Sequence, residues 1–153
     1  MDELTFSKFN EESCRMHREE DGLYRRLARH FGLSDSALWI LYILEISKTP
    51  VTQAELCGYL SLSKQTINSA LKQLEQSGHV RLEDGPGRNK YLHLTEAGRA
   101  LTERTIHPIL ELEERAFLSL SREEQASLLT LSRRHLELLL RESEFILNTP
   151  REE

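Results

Sequence analysis

Cysteine is scarce in this 153-residue chain: Cys14 and Cys57 are too few for a disulfide framework, which fits a reducing compartment. The opening stretch, MDELTFSKFN, has neither a basic leader nor an apolar core, so no signal peptide is expected. The longest apolar run, ALWILYIL from Ala37 to Leu44, falls far short of the ~20 residues that a membrane span needs. A cytoplasmic protein with no membrane partner is expected. Equally lacking are a glycine-rich phosphate loop, a nucleophile elbow and paired carboxylates of defined role; Gly85-Pro86-Gly87 reads as a turn. Histidines at 17, 30, 79, 93, 107 and 135 form no ligand motif. Neither an enzyme, nor a metal, nor a cofactor is expected.

What is present is enough for one sizeable core, with 39% hydrophobic and 29% charged residues and no sign of disorder. The net charge of -5 argues at first against a nucleic-acid partner, but the acid is unevenly placed. Residues 1–62 carry 7 basic and 10 acidic side chains, and residues 101–153 carry 7 and 11. Within residues 63–90, Lys64, Lys72, Arg81, Arg88 and Lys90 outnumber Glu75, Glu83 and Asp84.

Periodicity organises the chain into helices with a β-hairpin near the middle. Phe9, Met16, Leu23, Leu27 and Phe31 recur at helical spacing, and Gly32 closes that first helix. A second helix, capped by Ser34 and running from Asp35 to Ser47, is apolar nearly all round through Leu38, Trp39, Leu41, Tyr42 and Leu44, so it belongs at the centre of the core. Thr52-Gln-Ala-Glu55 is a capping box for a short third helix to about Leu60. Ser63 caps a fourth, which stops at Gly78. HVRLE and KYLHLT, joined through DGPGRN, form a hairpin, and two long helices follow, from Thr95 to about Leu118 and from Ser121 to about Leu147.

Two helices joined by a short turn and followed at once by a hairpin form the layout of a winged helix-turn-helix. Ala54 in the third helix is expected to let the two helices approach closely, with Leu60 and Leu62 flanking the turn. On the fourth helix, Ile67, Ala70, Leu71 and Leu74 share one face, while Gln65, Asn68, Ser69, Lys72 and Gln76 share the other. The second face has no carboxylate, and its amides, hydroxyl and lysine suit base edges and phosphates. Ser63, Lys64 and Thr66, at the start of the helix, complete the candidate DNA-contacting set with Arg88 and Lys90 on the wing.

The stretch TQAELCGYLSLSKQTINSALKQLEQSGHVRL, a glycine-containing wing and then LTEAGRAL resemble the MarR family of bacterial transcription regulators over nearly the whole chain. LTEAG, Leu94 to Gly98, is the most specific part of the resemblance. It implies a mainly α fold with a small β-hairpin wing, in which residues 34–98 form the winged helix-turn-helix and residues 1–33 and 99–153 the helical dimerisation region. It further implies a homodimer that acts as a repressor on a pseudo-palindromic operator in double-stranded DNA, and a small aromatic or apolar effector near Trp39 and Tyr42. The family's frequent Asp-x-Arg triplet falls on Pro86-Gly87-Arg88, so Arg88 keeps the cation without the aspartate that braces it.

Further features extend or compete with this reading. Leucines 136, 138, 139 and 140 make an apolar surface too broad for one stripe, and a second subunit is the expected cover, ahead of packing within the chain. Cys14, three residues from His17, is a candidate redox switch, whereas Cys57 is expected in the core. The alternatives are a winged-helix module that binds protein and not duplex, and a cysteine-based redox-sensing regulator.

Overall fold

Each helix begins where a hydroxyl can accept a backbone N–H that the helix itself leaves unpaired. The computed structural model describes residues 4–87 and 89–149. Its elements are α1 (Phe6–His30), α2 (Asp35–Ile46), β1 (Val51–Thr52), α3 (Gln53–Leu60), α4 (Lys64–Gln76), β2 (Val80–Asp84), β3 (Lys90–Leu94), α5 (Glu96–Leu118) and α6 (Arg122–Leu147). Thr5, Ser34, Thr52, Ser63, Thr95 and Ser121 accept from the N–H three residues on, at 3.0 to 3.3 Å. At Thr52 and Ser121 the glutamate of the third helical position reaches back to the cap N–H at 2.7 Å, completing both capping boxes. The fold is thus mainly α with a small antiparallel sheet.

The chain divides into two compact units, one reaching to Ile109 and the other starting at Leu110. In the first, α2 packs against α1, α3, α4 and β3. Ala37, Leu38, Ile40 and Leu41 are buried on it, while Trp39, Tyr42 and Leu44 keep partial exposure, so α2 is central along one face only. Leu56, Ile67, Leu71, Leu74, Val80, Leu92, Ile106 and Ile109 complete this core. Each fully buried leucine or isoleucine contributes about 1.5–3 kcal/mol relative to exposure. The expected stripe on α1 packs only towards its C-terminal end: Leu23, Leu27 and Phe31 are half-buried, but Phe9 and Met16 are exposed.

The sheet has three strands in the order β1-β3-β2, not the two of a simple hairpin. Leu92, at its centre, faces Val51 on one side and Leu82 on the other. β1 is two residues long, too short for any alternation to reveal, and it exists only because Val51 and Thr52 meet Leu92 and Tyr91. The last pair before the loop is Asp84 with Lys90, and Gly85 N–H closes the loop on Asn89 O at 2.9 Å.

In the second unit, the turn between α5 and α6 is fastened by Gln125, whose Nε2 donates to Phe117 O (3.2 Å) and Leu120 O (2.9 Å). No residue of α6 is buried. Leu128, Leu129, Leu131, Leu136, Leu139 and Leu140 are each more than half exposed. No helix among the described residues is long and apolar enough to cross a membrane.

Candidate nucleic-acid interface

The two faces expected of α4 are both present. Ile67, Ala70, Leu71 and Leu74 are buried, and Ser63, Lys64, Gln65, Thr66, Asn68, Ser69, Lys72 and Gln76 are exposed. Glu75 is exposed as well, in the last turn at the flank of the amide-rich face, so that face is bordered by one carboxylate. The turn from α3 to α4 is tight because Ser61 takes a left-handed conformation, φ 47°. Ser63 Oγ then accepts from Thr66 N–H at 3.1 Å and lies 2.7 Å from the Thr66 hydroxyl, so both groups are engaged in starting the helix.

Gln53, which the sequence pattern did not single out, donates through Nε2 to Oδ1 of Asn68 and joins the two helices of the motif. A glutamine at the first position of a helix carries no signal of its own; only the crossing of α3 and α4 brings it to Asn68. Ala54, expected between the helices, is exposed. On the short α3 it lies on the side away from Leu56, which is fully buried and makes the inward contact. Cys57, expected in the core, is half-buried for the same geometric reason. Ala54, Cys57, Thr52, Gln53 and Lys64 line a cleft of about 480 Å³ closed on its other side by Asn89 and Lys90 of the wing.

LTEAG fastens this module to α5. Thr95 N–H donates to His79 O at 3.0 Å, while its Oγ1 donates to Gly78 O at 2.6 Å and accepts from Gly98 N–H at 3.0 Å. Gly98 lies so close to the same turn that a Cβ there would be 1.9 Å from His79 O. At the wing tip, a Cβ on Gly85 would fall 2.1 Å from the Tyr91 ring, and Gly87 has φ +74°. Both glycines are thus required by shape. Arg88 lies outside the described residues. Lys90 is exposed at the start of β3. Arg81, counted among the local cations, is paired with Glu83 at 2.6 Å, and His93 lies 3.5 Å from the same carboxylate. The Thr52 backbone N–H, then its hydroxyl, hold the Glu55 carboxyl below its ordinary pKa.

Trp39 lies between Tyr24, tilted 46° to it, and Tyr42, which meets it edge-on at 67°, with ring-centroid distances of 4.7 and 5.4 Å. With Tyr24 and Leu62 it lines a cleft of about 220 Å³ whose rim carries Asp21, Arg25 and Asp35. Cys14 is exposed on α1, and the neighbouring His17 turns its Nδ1 to Ser13 O at 2.7 Å. No group of three or more potential metal-ligating side chains occurs among the described residues.

An α3–α4 pair with a short turn, an exposed face on its second helix and a β2–β3 wing defines a winged helix-turn-helix protein. Residues 31–88 match the model of the MarR family. It is 33% identical over 85 residues to the HTH-type transcriptional regulator YwoH of Bacillus subtilis (strain 168), a match covering 55% of this chain and 61% of that relative. The chain therefore spans less than two thirds of that relative's length. Its fold is similar to that of a MarR-family transcriptional regulator from Silicibacter pomeroyi, with TM-score 0.71, 24% identity and coverage of 88% and 94% of the two chains. It is also similar to S. aureus MepR, solved as a complex with DNA, with TM-score 0.66, 21% identity and coverage of 90% and 99%.

Proposed function

We propose that this protein is a dimeric, sequence-specific transcriptional regulator, acting as a repressor on a pseudo-palindromic operator in duplex DNA. The observation that carries the proposal is the exposed face of α4, where Gln65, Asn68, Ser69, Lys72 and Gln76 stand together above a buried apolar face. Amide and lysine side chains on one helix face match the donor and acceptor pattern of the major groove, and Lys64 and Lys90 lie beside the cleft where a phosphate backbone would run. The similarly folded MepR, solved as a complex with DNA, supports the DNA-binding reading.

Residues 34–98 form the DNA-binding region in this reading, and residues 1–33 and 99–153 the dimerisation region. The exposed leucines of α6, together with Phe6 on α1 and Leu118 on α5, are the surfaces that a second copy would cover. A two-fold pair of recognition helices then meets half-sites about one helical turn apart. The small cleft at Trp39, below the ~300–1,000 Å³ of a drug-sized site, suits a single-ring aromatic or apolar effector.

Binding to operator-selected and random duplexes across a salt series tests the function. Counterion release requires affinity to fall steeply with salt, and base readout requires the selected duplex to bind at least ~10³-fold more tightly than random DNA. Absence of duplex binding at low salt would refute the proposal and leave a protein-binding winged helix.

A further inference from the structure

The tip of the wing is poor in bonds of its own. Asp84 and Lys90 form the last ladder pair, and beyond it Gly85 N–H donates to Asn89 O at 2.9 Å across the loop. Among the described residues, the side chains of Asp84, Asn89 and Lys90 make no hydrogen bond or ion pair. Tyr91 supplies a second tie. It stands opposite Glu83 on the neighbouring strand, so Gly85 is its diagonal neighbour towards the tip, on the same face of the sheet. Its ring leans that way: Cε2 and Cδ2 fill the space that a Gly85 Cβ would need, which brings them against the glycine Cα. A ring laid over a glycine on the next strand covers backbone that glycine leaves open to water, and it restrains a residue with unusual conformational freedom. On its other side Tyr91 pairs with Thr52 of β1, the cap of α3. The ring is thus seated in the middle strand of the sheet and reaches outward to the tip.

We propose that Tyr91 is a positioning residue for DNA binding: its ring on Gly85 sets the shape of the wing tip and so presents Asn89 and Lys90 to the duplex. This assignment rests on the DNA-binding reading above. A loop with few bonds of its own must be ordered when it meets a phosphate backbone, and ordering a loop and its side chains costs affinity. With the ring in place, much of that ordering is already complete in the free protein. The ring carbons make the contact, and the Tyr91 hydroxyl forms no hydrogen bond among the described residues, so the hydroxyl has no part in the role.

Tyr91→Phe keeps the ring and Tyr91→Ala removes it. Gly85→Ala leaves the tyrosine but puts a methyl group where its ring lies, so it breaks the same contact from the other strand. An operator selected on the parent is trimmed stepwise from both ends; the flank is the outermost segment whose loss weakens the parent while base preference beneath α4 is kept. That flank should raise parental affinity by about tenfold, and that of Tyr91→Ala and Gly85→Ala by no more than about twofold. Tyr91→Phe should match the parent. A general loss of folded protein would instead weaken full-length and trimmed duplexes by the same factor. The double variant should lose no more than either single one, since both substitutions act through one contact. In the DNA-free protein, backbone N–H order parameters of Gly85, Gly87 and Asn89 should fall in Tyr91→Ala and hold in Tyr91→Phe. Unchanged order parameters in Tyr91→Ala overturn the proposal whatever happens on DNA. So does a Tyr91→Phe that behaves as Tyr91→Ala, a flank effect that survives in both alanine variants, or a parent that binds duplex with no flank effect. A parent that binds no duplex, while Tyr91→Ala still lowers the order parameters, marks the failure of the DNA-binding reading and not of the contact.

Discussion

A methyl group at Gly98 would sit 1.9 Å from the carbonyl oxygen of His79, so the last residue of LTEAG is constrained by packing and not by any contact with DNA. Because α5 and the turn before β2 are both held by Thr95, neither moves away cheaply. Gly98→Ala should destabilise the fold by about 1–3 kcal/mol, read from the denaturation midpoint in urea. Glu55 supplies a pH-dependent counterpart. Its folded-state pKa is depressed, so the capping contribution is fully present above the unfolded carboxylate value of ~4.3 and is lost as pH falls through the lower folded value. Glu55→Gln should therefore melt below the parent near neutral pH, and the gap in melting temperature should close under acid conditions. A gap independent of pH would assign the difference to something other than the carboxylate. At this scale the sequence was only partly informative: Thr52 and Glu55 are legible as a capping box, whereas the role of Gln53 depends on where α3 crosses α4.

The helices were legible because hydroxyl caps and 3.6-residue periodicity act over a few neighbouring residues. α4 is the clearest case, with its buried and exposed residues falling on the faces that ~100° per residue requires. Its proposed role in reading DNA makes two expectations. Gln65→Ala should relax base preference at one operator position at a cost of ~1–3 kcal/mol, with little change on random DNA. Lys72→Ala should instead weaken selected and random duplexes alike and lower the salt slope by about 1, if the ammonium meets a phosphate. Measuring both variants on both duplexes across salt separates readout from charge. β1 was not legible: two residues have no period, and their pairing with β3 is made by residues about 40 positions away. On α3 an eight-residue helix has only two turns, so the side occupied by Ala54 and Cys57 was decided by the burial of Leu56.

For the whole molecule, the unburied α6 is the largest consequence of the architecture. Packing within one chain leaves Leu136, Leu139 and Leu140 more than half exposed, and the proposed homodimer supplies the cover. Leu139→Glu with Leu136→Glu should shift the protein from dimer to monomer in light scattering and abolish tight binding to a two-half-site operator. Binding to random DNA through α4 should persist weakly; a double variant that remains dimeric would overturn this use of α6. The amino-acid sequence by itself determined the six helices, the turn between α3 and α4, the wing and the two-faced pattern of α4, because caps, glycines and periodicity are local. Only the tertiary structure decided that β1 completes the sheet, that Gln53 meets Asn68 and that Gly98 lies against His79. Those facts depend on the crossing of elements distant in the chain, which no spacing of neighbouring residues encodes.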